Sequence, residues 1–223
     1  MNYELVRQAL GKYMAGLLVM MALLFIPAGT FDYPQAWLLI GILFAPMLVV
    51  GVVLLKKDPE LLKKRLDAKE EEGEQRSVVL MSALMFLAAF VVAGLCFRHR
   101  FLMLSWAVSL VGAAVFLAGY ALYAEVLKEN TYLSRTVEVQ QGQKLIDTGL
   151  YGVVRHPMYT ATILLFLSMP VVLGSILSFA IMLAYIPLIV KRIGGEERVL
   201  AEGLDGYRAY MERVRYRLVP HVW

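Results

Sequence analysis

Apolar residues run along this chain in blocks too long for a soluble core, and the polar residues collect between them. Tyr13 to about Gly29 is apolar enough to cross a bilayer once, Phe31-Asp32-Tyr33-Pro34 marks a turn, and Gln35 to Leu55 crosses back. Pro46 is placed to kink that second helix. Ser77 to Phe97 and Phe101 to about Ala124 form another pair around Arg98-His99-Arg100. After Pro157 the apolar residues continue to about Val190, too far for one ordinary span. Pro170 and Gly174-Ser175 divide that run into two shorter crossings joined by a tight turn. The pattern predicts an all-α, polytopic membrane bundle of five to six transmembrane segments with a C-terminal amphipathic helix.

The polar stretches add detail. Residues 1–12 set Tyr3, Val6 and Leu10 at helical spacing beside Arg7 and Lys12, which predicts a short surface-lying helix ahead of the first span. That region carries Glu4 and no small-residue cleavage pattern, so the first apolar run is expected to be a retained helix. Residues 56–76 are the most charged of the chain, with Leu61, Leu62 and Leu66 along one edge, and read as a solvated surface helix. Gly112, Ala113, Ala114, Ala118 and Gly119 on the fourth span would let a neighbouring helix approach closely. Glu125 to Arg155 is a long polar connection of the kind that carries function, and Val137-Glu138-Val139 within it is assigned to loop. Leu200, Leu204, Tyr207, Met211 and Val214 repeat at helical spacing, with Asp205 as the predicted cap of a last short helix and Arg213, Arg215 and Arg217 as membrane-surface anchors. The chain thus divides into N-terminal helices, 1–124, and a C-terminal half, 125–223, that holds the candidate chemistry.

Composition sharpens the class. With 60% hydrophobic residues and a mean hydropathy of +0.65, a soluble fold is excluded. The net charge of +4 does not indicate a nucleic-acid partner, because Lys and Arg sit at the ends of apolar runs and not along one stripe. With six crossings, Arg98 and Arg100 fall on one side and the remaining Lys and Arg on the other. The positive-inside tendency then puts both termini and residues 149–159 in the cytosol. The single cysteine, Cys96, lies within an apolar run, which leaves no disulfide framework and no metal-ligand spacing.

Two stretches carry the candidate chemistry. In Gly149-Leu150-Tyr151-Gly152-Val153-Val154-Arg155-His156-Pro157-Met158-Tyr159, Pro157 suits the first turn of a helix entered through His156. The N–H groups of that turn would point back at Tyr151 to His156 and favour an anionic or strongly polar group at the membrane boundary. Lys191-Arg192-Ile193-Gly194-Gly195-Glu196-Glu197-Arg198 follows the last span at the same face. If the helix continues through it, Arg192 and Glu196 share a face and Glu197 lies beside it. The plainer reading, an exposed i, i+4 pair, is worth only about 0.2–0.5 kcal/mol. Ionisable groups this near the hydrocarbon edge are costly and commonly mark a site.

Taken together, Gly149-x-Tyr151-x-x-x-Arg155-His156-Pro157-x-Tyr159 and Arg192-x-x-x-Glu196-Glu197, followed by Leu200, Gly206-Tyr207, Tyr210, Val214 and Pro220, resemble the signature of the isoprenylcysteine carboxyl methyltransferases and the related phospholipid N-methyltransferases. The resemblance covers roughly Asn130 to Pro220. It implies S-adenosyl-L-methionine as methyl donor, held at the cytosolic face. Gln143, Lys144, Leu145, Ile146, Tyr151, Arg155, His156, Pro157, Met158, Tyr159, Glu196 and Glu197 would then bind the cofactor. Arg192 would hold an acceptor carboxylate and Glu196 would contact the donor. Gln143 stands where the family's eukaryotic members carry histidine. The acceptor implied is a lipophilic or lipidated molecule from the bilayer, with no resident metal.

The residues agree with this. Methyl transfer from a sulfonium is an in-line displacement that needs alignment and exclusion of water. A carboxylate or thiolate acceptor needs no strong base, whereas an amine or hydroxyl would call on Glu196, Glu197 or His156. No glycine-rich strand-turn-helix motif points to the soluble fold for this cofactor. Two other readings stay open: an NADPH-dependent membrane lipid reductase on a related scaffold, and a non-catalytic membrane protein in which the Arg/Glu pair fixes helix packing.

Overall fold

Because apolar side chains surround the long helices on every side, each helix can bury one stripe against its neighbours and still show hydrocarbon outward. The structure, a computed structural model, describes residues 3–66, 73–130, 132 and 139–223. Helices α1 (Tyr3–Ala28), α2 (Pro34–Lys57), α4 (Gly73–His99) and α5 (Trp106–Glu129) are long, and α3 (Pro59–Leu66) is short. After the polar connection come α6 (Pro157–Val172), α7 (Ile176–Met182), α8 (Tyr185–Gly203) and α9 (Tyr207–Arg213). Among the described residues, five segments are long and apolar enough to span a membrane, the last being Ile176–Gly203, and α6 adds a shorter apolar helix. Side chains such as Leu18, Ile26, Val49, Leu80 and Val111 face outward from the bundle, as those of a multi-pass integral membrane protein must.

The first expectation to be corrected is the surface helix at residues 1–12: α1 runs unbroken from Tyr3 to Ala28. No proline or capping signal separates the amphipathic start from the apolar span, so one helix of about 39 Å serves both, at 1.5 Å per residue over its 26 residues. Helix α2 runs on through Pro46. Of the charged stretch 56–76, only Pro59–Leu66 forms a helix of its own, α3, whose Leu61 and Leu62 are buried, while the ammonium of Lys12 donates to the Leu66 carbonyl; residues 67–72 lie outside the described residues, and 73–76 already belong to α4. Of Val137-Glu138-Val139, the first two residues lie outside the described set.

The main core joins α1, α2, α4, α5 and α6 through residues such as Leu24, Tyr33, Leu39, Ala93, Phe116 and Val172. The small residues of α5 serve as expected. A Cβ at Gly112 would lie 2.9 Å from the Val172 amide nitrogen, so only glycine lets α5 lie this close along α6. At one end of the bundle the turns are stitched together. The Tyr33 hydroxyl donates to the Leu173 carbonyl at 2.7 Å, and the Leu104 N–H donates to the Gly174 carbonyl at 2.7 Å. Trp37, Trp106, Arg98 and Arg100 belong to this end, with the indole N–H of Trp37 on the Phe31 carbonyl at 2.8 Å. The opposite end gathers the start of α1, the end of α2, α3, the starts of α4 and α6, and the ends of α5 and α8. A second core of Met85, Ala89, Met182, Tyr185, Ile189, Ile193 and Leu218 packs α8 and the C-terminal tail against α4, which carries Glu196 and Glu197 to that end.

Candidate functional site

Pro157 starts α6 as its ring dictates, and His156 occupies the preceding position with φ −127° and ψ 60°. Upstream, Gly149 enters a single 3-10 turn, Gly149–Gly152, at φ +54°. The Glu129 carboxylate folds over it and accepts the Leu150 N–H at 3.0 and 3.2 Å. The Asn130 amide donates to the Tyr151 hydroxyl at 3.1 Å, and the Tyr210 hydroxyl donates to the Tyr151 carbonyl at 2.7 Å. Burial pushes the Tyr151, Tyr207 and Tyr210 hydroxyls above the ordinary phenol range, so all three keep their protons.

Most of the backbone donors expected to form a cradle around this helix start are already taken. The N–H groups of Tyr151 to Val154 turn onto the carbonyls of Thr148 and Leu150, and those of Arg155 and His156 donate to Tyr216 and Arg217 at 2.9 Å each. Tyr159 and Thr160 donate back to the His156 carbonyl. The loop's own turn takes the first four, and the C-terminal tail, which lies edge-on against the loop, takes those of Arg155 and His156. The Thr160 hydroxyl on the Leu218 carbonyl, at 2.8 Å, extends the same seam.

Behind the loop is a buried ion cluster centred on Glu197. Its Oε1 accepts from Arg155 Nε at 2.7 Å and lies 3.2 Å from His156 Nε2. Since an ionised carboxylate only accepts, that imidazole nitrogen carries a proton. Oε2 accepts from Arg217 Nε at 2.9 Å, with Arg217 Nη2 at 2.8 Å. Arg155 also donates to the carbonyls of Val214 and Arg215 at 2.7 and 2.9 Å. Arg217, expected as a surface anchor, therefore joins a buried carboxylate, and Arg213 pairs with Asp147. The cap of α9 is Gly206 at φ +81° and not Asp205.

In front of the loop lies a cavity of about 1040 Å³. Among the residues singled out from sequence, Gln143, Lys144, Leu145, Ile146, Tyr151, Arg155, His156, Met158, Tyr159, Arg192 and Glu196 all line it. Pro157 and Glu197 do not: Pro157 is fully buried and Glu197 faces the cluster. Within the cavity the Tyr159 hydroxyl donates to Glu196 Oε2 at 2.5 Å and accepts from Arg192 Nε at 3.1 Å. Arg192 and Glu196 are thus linked through a tyrosine thirty-odd positions upstream. From this polar end the cavity continues between α2, α4, α5 and α6 along Met47, Val79, Phe86, Phe116 and Met169. Its volume sits at the top of the range of about 300–1,000 Å³ usual for small-molecule sites. Glu129, Asn130, Arg217 and Tyr207 are parts that sequence reasoning did not assign to the site.

Residues 107–202 match the Isoprenylcysteine carboxyl methyltransferase (ICMT) family, a segment that runs from α5 nearly to the end of α8 and holds both motifs. The chain is also similar to the Delta(14)-sterol reductase TM7SF2 of Mus musculus. That similarity is 31% identity over 91 residues, 40% of this chain and 22% of the reductase, so it concerns one segment of a longer protein. Among the described residues no group of His, Cys, Asp and Glu is placed to hold a metal ion.

Proposed function

We propose that this chain, whose residues 107–202 match a methyltransferase family, is an integral membrane methyltransferase. In this reading it binds S-adenosyl-L-methionine at the cationic end of the bundle, which faces the cytosol with both termini. The methyl acceptor is a lipophilic or lipidated molecule from the bilayer, with a carboxylate as the first candidate group. The observation that carries the reading is that one cavity joins a charged end, with Arg192, Tyr159 and Glu196, to an apolar trench between membrane helices. A polar donor and a greasy acceptor need a compartment of each kind with no barrier between them.

The residues present fit the donor. Glu196 supplies acceptors for its polar groups, Leu145, Ile146 and Met158 supply apolar wall, and the volume accommodates a nucleoside with room for an acceptor beside it. When bound, the sulfonium supplies an electrophilic methyl group. The protein's part is alignment and exclusion of water. Arg192 presents a planar fork that suits a carboxylate, and the Tyr159 hydroxyl fixes its bearing relative to Glu196. Arg155, Pro157 and Glu197 hold the loop from behind. With a carboxylate or thiolate acceptor no residue has to remove a proton, and with an amine or hydroxyl Glu196 or His156 is the base within reach. Helix α6 spans only about 24 Å over its 16 residues, less than the roughly 30 Å of a hydrocarbon core. Its far end is tied to the turns at Tyr33 and Leu104. The His156-Pro157 end is accordingly drawn below the headgroup plane, where a lipid's functional group can meet it.

The likeness to a sterol reductase favours a second reading, reduction of a lipid by a nicotinamide donor in the same cavity. Incubating purified protein with methyl-labelled S-adenosyl-L-methionine and a membrane lipid extract separates the two. The methyltransferase reading expects label in a lipophilic product, released by mild base if a carboxylate was esterified. No transfer, together with NADPH-dependent reduction of a lipid in the same extract, would replace it with the reductase reading.

A further inference from the structure

Gly94, Gly112 and Gly119 are pressed against a neighbouring helix: a Cβ at Gly94 would lie 2.6 Å from the Leu24 carbonyl oxygen, and one at Gly119 3.1 Å from the Leu165 amide nitrogen. Gly51, inside α2, differs, since a Cβ there would meet no atom within 4 Å. Glycine in mid-helix costs stability relative to alanine, and its use there is to let another backbone or a ligand come close. Among the described residues, nothing comes close at Gly51. Gly11, Gly41 and Gly194 have the same freedom, but they are exposed and do not line the cavity, whereas Gly51 is half-buried and does. The helix fixes the direction. Val49 and Val53, 61% and 44% exposed, do not line the cavity and face outward. Each is two positions from Gly51, hence about 160° around the helix from it. Met47, Leu54 and Leu55 share the face of Gly51 about one turn away, and all three line the cavity. Gly51 is therefore a notch between large side chains in the cavity wall. It lies about 9 Å, six residues at 1.5 Å each, from Lys57, where α2 ends at the same end of the bundle as Arg192.

We propose that Gly51 is a specificity residue for the methyl acceptor: the acceptor's hydrocarbon, with its reacting group at Arg192, crosses the cavity and lies against the bare backbone at Gly51, so that this notch sets how bulky a chain fits. This rests on the methyltransferase reading above and names the wall that selects the acceptor. The occupant follows from continuity, because the notch belongs to the cavity that also holds Arg192, Tyr159 and Glu196, and the wall around it is hydrocarbon. A polar donor gains nothing from such a wall, whereas a lipid chain does. Gly51 also lies outside the segment 107–202 that matches the methyltransferase family. The matched segment then carries the donor chemistry, and the N-terminal helices choose what is methylated.

Detergent-purified wild type, Gly51→Ala and Gly51→Leu test this in three measurements: label transfer from methyl-labelled S-adenosyl-L-methionine into a membrane lipid extract, calorimetric titration with S-adenosylhomocysteine, and the ligand-free thermal midpoint. Since the protein leaves room for the added side chain, both variants should melt at or above the wild-type midpoint. All three proteins should bind S-adenosylhomocysteine equally. Transfer by Gly51→Leu should fall about tenfold or more, with the remaining label in less bulky products, and Gly51→Ala should lose less. Transfer by Gly51→Leu at the wild-type rate and into the same products would overturn the proposal. So would a fall in transfer matched by a fall in S-adenosylhomocysteine affinity or in midpoint, which would assign Gly51 to the donor pocket or to the fold. Wild type that does not bind S-adenosylhomocysteine, or binds it and labels nothing lipophilic, overturns the methyltransferase reading itself, and this inference with it.

Discussion

Replacing Glu197 by glutamine removes the one carboxylate that holds three cationic or protonated groups behind the loop. The side chains of Arg155 and Glu197 are 7% and 8% exposed, so neither can turn to water. Arg155 would keep the Val214 and Arg215 carbonyls but lose its counter-charge, and His156 would lose the acceptor 3.2 Å away. Arg217 is 36% exposed and can re-solvate, so the cost falls mainly on Arg155 and His156. Each charge-assisted hydrogen bond contributes about 1.5–3 kcal/mol, but the amide oxygen of glutamine retains part of one, and such terms do not add. Stranding a buried charge costs about 3–5 kcal/mol, which sets the expected loss. For a chain of 223 residues this corresponds to roughly 2–4 °C per kcal/mol, hence about 6–20 °C in thermal midpoint. Scanning fluorimetry in detergent reads it directly, and Arg217→Gln should lower the midpoint by a clearly smaller amount. A Glu197→Gln midpoint within about 2 °C of wild type, or an equal effect from Arg217→Gln, would refute the cluster as the anchor of the loop.

Other perturbations separate scaffold from site. Gly149→Ala would put a Cβ about 2.0 Å from Glu129 Oε1 at φ +54°, and should lower both thermal stability and donor affinity, read by fluorimetry and titration. Tyr210→Phe breaks a buried 2.7 Å hydrogen bond to the Tyr151 carbonyl, and should cost about 1–3 kcal/mol in a denaturation series. Gly112→Leu forces α5 away from α6, and is expected to lower folded yield in detergent, measured by size-exclusion chromatography. Arg192→Ala should leave S-adenosylhomocysteine binding within a few-fold of wild type while methyl transfer to a carboxylate acceptor falls by at least tenfold in a label-transfer assay.

How much of this was legible in sequence differs by region. The bundle could be read because lipid-facing positions need nothing but hydrocarbon, so the apolar runs state their own ends. The join at residues 1–12 could not, since an interfacial helix and a spanning one share a period and nothing between Tyr3 and Tyr13 breaks it. Most cavity-lining residues were found because they lie in two compact motifs. The cluster behind them was hidden: Arg155, Glu197 and Arg217 are 42 and 20 positions apart in turn, and an arginine after a last span reads alike whether it meets headgroups or a buried carboxylate. One signal was present. Adjacent residues on a helix point about 100° apart, and with Glu196 turned to the cavity Glu197 points to other partners, here Arg155 and Arg217. Tyr207 sits at helical spacing with leucines and reads as core, and only coordinates reveal that its hydroxyl has no partner among the described residues. Asp205 looked like a cap, but Gly206 enters α9 through the left-handed region, where glycine has no steric cost.

The central claim is that the end of the bundle with Arg192, Tyr159 and Glu196 is a donor pocket, and calorimetric titration of the purified protein with S-adenosylhomocysteine tests it most directly. The account expects saturable binding at one site per chain, weakened at least tenfold by Glu196→Gln without a matching fall in thermal midpoint. Absence of binding by wild type, or binding that Glu196→Gln leaves unchanged, would contradict it.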